Sequence, residues 1–63
     1  MPDKRMAELL LTASLQMRSG MEQTVSVLRE TAKRMPEFTS VAENYISIDN
    51  ELKKAIETLK GMI

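Results

Sequence analysis

The chain has 63 residues with nine basic and nine acidic side chains, and it contains neither cysteine nor histidine. Those counts exclude a disulfide framework, the usual zinc sites and the basic excess of a non-specific nucleic-acid binder. A domain of this size buries only about 60% of its unfolded surface, so a partner chain is the remaining way to complete a core.

Pro2 and Asp3 offer a helix start, a rigid residue followed by a side chain that can cap orphan amides. From Met6 an apolar stripe runs through Leu10, Ala13, Met17, Met21, Val25, Leu28, Ala32 and Met35. The spacing predicts one amphipathic helix from about residue 3 to 34. Three successive steps of four residues, from Ala13 to Val25, put a stutter in the heptad frame, with Gly20 inside it. Ser19 and Glu22 have the spacing of a capping box that would suit a break. The stripe continues in phase on both sides, however, so a continuous helix is expected.

Pro36 cannot donate the amide that an ongoing helix needs, and it disfavours the helical conformation at Met35. Arg29, Lys33 and Arg34 fill the preceding turn, where cations complement the helix dipole. A turn at about 35–37 follows, then a second helix from about 37 to 61. A rival start lies at Ser40, which with Glu43 forms another capping-box spacing. Gly61 supplies the stop. Within this helix Phe38, Val41, Tyr45, Ile48, Leu52, Ala55, Leu59 and Met62 alternate in steps of three and four, an unbroken a/d seam. That seam is expected to close the hairpin, with Asp49 and Asn50 on the solvated side and Asp49 in register to pair with Lys53.

The expected fold is all-α: a two-helix antiparallel hairpin in a single domain, dimerising into a four-helix bundle. The dimer is inferred from excess apolar surface. Leu9, Leu10, Leu11 and Leu15 widen the first stripe, and Ala42, Ile46, Ile56 and Ile63 flank the second. Residues expected at interfaces are Leu11, Leu15, Met17, Met21, Ile46, Ile48, Leu52, Ile56 and Leu59. Six methionines suit either core filling or an adaptable docking face.

Catalysis has little to work with. No serine has a base in a recognised spacing, no carboxylate pair shares a helix face, and no glycine-rich phosphate loop or metal-ligand cluster is present. No enzyme activity and no cofactor are expected. The leading reading is a small non-enzymatic interaction module (adaptor, regulator or chaperone) whose partner is itself, a larger protein, or both. The second is a dimeric nucleic-acid-binding regulator with Arg29, Lys33 and Arg34 as phosphate contacts; Glu30 and Glu37 dilute that field and no aromatic side chain accompanies it. A structural assembly subunit is the third. The longest apolar run, around Leu9 to Leu11, falls far short of the ~20 residues a membrane span needs, and a cytoplasmic location is the default expectation.

Overall fold

The computed structural model describes residues 4–63. Helix α1 covers Lys4–Arg34, a single 3-10 turn covers Pro36–Phe38, and helix α2 covers Thr39–Gly61. The helices lie antiparallel in a hairpin with extents of 50 × 15 × 11 Å. Helix α1 runs unbroken through Gly20. The expected cap at Pro2 and Asp3 lies outside the described residues.

The connection is as tight as Pro36 suggests. Met35 leaves the helical region at φ −131° and ψ 89°, which is the extended conformation a residue before proline prefers. Its own amide still donates to the Thr31 carbonyl at 2.7 Å, and the Phe38 amide donates to Met35 at 2.9 Å. The amide of Thr39 donates to the Pro36 carbonyl, so α2 starts without a side-chain cap and the Ser40 box is unused. Helix α2 ends at Gly61 as expected, with helical rather than left-handed backbone there, and Met62 closes the last turn through its amide to the Leu59 carbonyl at 3.1 Å.

The interior of the hairpin corrects the expected seam. Along α1 the inward line is Ala7, Leu11, Ser14, Arg18, Met21, Val25, Leu28 and Ala32, all buried or half-buried. This is a regular heptad with no stutter. Along α2 the buried positions are Ala42, Asp49 and Ile56, with Phe38, Ile46, Leu52 and Leu59 half-buried. The expected seam residues Val41, Tyr45, Ile48, Ala55 and Met62 are exposed, as are Met6, Leu10, Ala13 and Met17 of the first stripe. Met21, Val25, Leu28 and Ala32 of the expected stripe do face inward, and Phe38, Leu52 and Leu59 of the expected seam are half-buried. The displacement, by one residue or about 100°, thus affects the N-terminal half of α1 and the remaining seam positions of α2. The cause is chemical. Ser14, Arg18 and Asp49 interrupt the inward lines, so the uninterrupted apolar lines beside them dominate the pattern. Small side chains at Ala7, Ser14, Ala32 and Ala42 suit the close approach that a four-residue connection imposes.

Asp49 is therefore not solvated as expected; only 8% of its surface is exposed. Its Oδ2 pairs with Lys53 Nζ at 3.4 Å, in the register expected, while Oδ1 is buried with no hydrogen-bond partner. Arg18 resembles it: the guanidinium reaches Glu22 at 3.2 Å and the buried Nε is unpartnered. A buried, half-satisfied carboxylate costs stability relative to an apolar side chain. Asp49→Leu is thus expected to stabilise the protein by about 1–2 kcal/mol, raising Tm by roughly 4–8 °C per kcal/mol. A thermal melt showing a lower Tm would mean that the Lys53 pair outweighs the desolvation.

Candidate interaction face

What the hairpin leaves uncovered is an ordered surface. On α1 the exposed line is Met6, Leu10, Ala13, Met17, Gly20, Thr24, Val27 and Thr31, with Thr31 half-buried. These steps also alternate between four and three, giving a second complete heptad seam. On α2 the matching line is the one the sequence displays best, Val41 through Tyr45, Ile48, Leu52, Ala55 and Leu59 to Met62. The two lines share one side of the hairpin: Thr24, Val27 and Leu28 of α1 border the same shallow hollow as Val41 and Tyr45 of α2. On the opposite side Glu22, Val25, Ser26 and Arg29 border a hollow with Asp49, and the exposed Leu15 shares the heptad line of Glu22 and Arg29.

No charged residue lies on either line of the apolar side. Its threonines are less polar than their formula suggests. Thr24 Oγ1 donates to the Gly20 carbonyl at 3.0 Å and Thr31 Oγ1 donates to the Val27 carbonyl at 2.8 Å. With each hydroxyl engaged on its own helix, the methyl groups are left for contact. Exposure here is large for such side chains: 61% for Met17, 52% for Leu10 and 51% for Ile48.

The residues expected at an interface divide between the two sides of this arrangement. Leu11, Met21, Ile46, Leu52 and Leu59 are half-buried and Ile56 is buried inside the hairpin itself. Met17 and Ile48 stand on the open apolar side, and Leu15 is exposed as well. Leu52 and Leu59 border both regions, belonging to the open line while half-covered. Thr24 and Thr31 were not among the expected contacts; the signal for them is their heptad spacing with Val27 and Gly20, which only becomes legible when threonine is counted as a methyl donor to the surface.

Arg29, Lys33 and Arg34 all lie exposed in the last turns of α1. Arg29 borders the polar hollow with Asp49, Lys33 pairs with Glu30 at 3.1 Å, and Arg34 borders another hollow with Glu30 and Met35. The other ion pairs are local to one helix and exposed, Lys54 with Glu51 and Lys60 with Glu57. Each contributes about 0–1 kcal/mol. Among the described residues no cluster of three or more acidic side chains could hold a metal ion, and no helix is long and apolar enough to cross a membrane.

Comparison with protein-family models, curated proteins and solved structures gives no match. The surface must therefore be read from its own chemistry. Its area supplies a scale. The chain exposes 4950 Å², whereas a compact monomer of 7.1 kDa is expected to expose about 4100 Å². The difference reflects the elongated shape of the hairpin, 50 × 15 × 11 Å.

Proposed function

We propose that the protein is a non-enzymatic protein–protein interaction module whose apolar side pairs with a second copy, forming a four-helix bundle. It would serve as a small adaptor, regulator or chaperone, with its polar sides left for further contacts. The observation that carries this reading is the second, charge-free heptad seam on both helices, presented on one side of the hairpin. Two seams per helix are what a helix needs when it has two helical neighbours.

A net charge of zero also means that two copies do not repel one another. The interior of a single hairpin is also thin: Ala7, Ala42 and Ile56 are its buried apolar residues, and no large side chain is fully enclosed.

Sedimentation equilibrium across a wide concentration range, with circular dichroism alongside, tests the proposal. The expected result is a helical species of twice the chain mass at tens of micromolar, with Tm rising as concentration rises. A monomer that stays fully helical at every concentration would overturn it.

A further inference from the structure

We propose that Met17, together with Met6 and Met62, is a site of reversible oxidation, and that conversion of these thioethers to sulfoxides releases the second copy. This rests on the self-association described above and adds its regulation. The chain has no cysteine, so its six methionines carry all of its oxidisable sulfur. Among the described residues they divide by position. Met6, Met17 and Met62 lie on the two open lines, each more than half exposed. Met35 lies beyond the end of α1, and Met21 is half-buried inside the hairpin.

Met17 is the most exposed of the described methionines, and its neighbours explain why. One turn away on the same line stand Ala13 and Gly20, which offer a methyl group and a hydrogen. A Cβ built at Gly20 meets no atom within 4 Å, so the space beside it is open. The thioether is therefore accessible to a small reagent and to a repairing enzyme. Hydrogen peroxide, a two-electron oxygen donor, reacts with such a sulfur directly. The sulfur lone pair attacks one peroxide oxygen, the O–O bond breaks, and the other oxygen leaves as water. One thioether and one peroxide give one sulfoxide and one water. A methionine sulfoxide reductase reverses the change with a dithiol, which ends as a disulfide and water.

The surroundings decide what that oxygen does. A thioether packs much as a hydrocarbon does, whereas a buried sulfoxide needs a hydrogen-bond donor. Donors are scarce on the open side. No charged residue lies on either line, and Thr24 and Thr31 already donate their hydroxyl protons to the Gly20 and Val27 carbonyls. The phenol of Tyr45 remains, and one donor per chain cannot serve three sulfoxides. In a separate hairpin the oxidised side chains stay in water and cost nothing. In the paired form their oxygens are buried, and the cost is incurred in both copies.

Hydrogen peroxide treatment of the full chain, followed by peptide mass mapping and sedimentation equilibrium, tests the assignment. Sulfoxide is expected at Met17 before Met21, and faster in dilute than in concentrated protein, because pairing shields the open side. With Met17 converted, the dissociation constant is expected to rise at least about thirtyfold. Methionine sulfoxide reductases of both stereospecificities, with a dithiol, are expected to restore it. A chain carrying Met6→Leu, Met17→Leu and Met62→Leu keeps the apolar volume of the open side. It is expected to pair like the parent and to remain paired after the same treatment, although Met1, Met21 and Met35 are still present. A parent that stays dimeric with Met17 fully oxidised, or that oxidises first at Met21, would overturn the regulation while leaving self-association standing. So would a triple variant that still dissociates under peroxide. A reduced parent chain that is monomeric at every concentration overturns both.

Discussion

If the proposed bundle forms, Ile48→Asp is expected to leave a monomer and remove much of the helix content. In an isolated hairpin the substitution would matter little, since Ile48 is 51% exposed and surface changes usually fall within about 0.5 kcal/mol. In a bundle it loses about 1–1.5 kcal/mol of apolar burial per chain, since half of the side chain remains to be covered, and places a carboxylate in a seam with no cation on it. The carboxylate adds at least a similar cost. Because the change occurs in both copies, the combined loss of about 4–6 kcal/mol takes a micromolar dimer, held by roughly 8 kcal/mol, to a millimolar dissociation constant or weaker. Sedimentation equilibrium at tens of micromolar reads the mass directly. A variant that stays dimeric would place the contact on another face of the hairpin.

Ile56→Ala has the second large effect, and its mechanism is different. Ile56 is 3% exposed and is the largest of the buried apolar residues. Truncation leaves a cavity between the two helices and is expected to cost about 2–5 kcal/mol. A domain of 63 residues has a total stability of roughly 3–9 kcal/mol, so half or more of it would vanish. Urea denaturation at fixed protein concentration, compared between variant and parent, measures the change. A loss below about 0.5 kcal/mol would show that α2 does not pack on α1 along the Ala42–Asp49–Ile56 line.

The pair also marks what could be read in the sequence. Helix number, the break at Pro36 and continuity through Gly20 follow from local chemistry, because proline removes an amide whereas one glycine within a long stripe only weakens a helix. The facing of the helices was not legible. Periodicity reports that a line of residues avoids water, not which neighbour covers it. The cleanest line, through Tyr45, Ile48 and Leu52, is on the open side, whereas the closed side tolerates Ser14, Arg18 and Asp49. Two of those polar residues are partly compensated on the inner line by an ion pair along their own helix, Arg18 with Glu22 and Asp49 with Lys53. A purely apolar criterion discards that line.

Pro36 has a consequence beyond ending a helix. If each α1 is flanked by two equivalent antiparallel α2 helices, the bundle has the same cross-section whichever chain supplies which helix. An opened hairpin could then exchange its second helix with a neighbour, and the exchange could propagate into chains of linked molecules. The route of least effort would be for the connection to straighten into one continuous helix. Pro36 blocks it, since a proline there lacks the amide for the Ala32 carbonyl and its ring clashes with that turn. The bend at Met35 and Pro36 thus keeps the two helices from merging into one rod, the open form through which helices are exchanged between molecules.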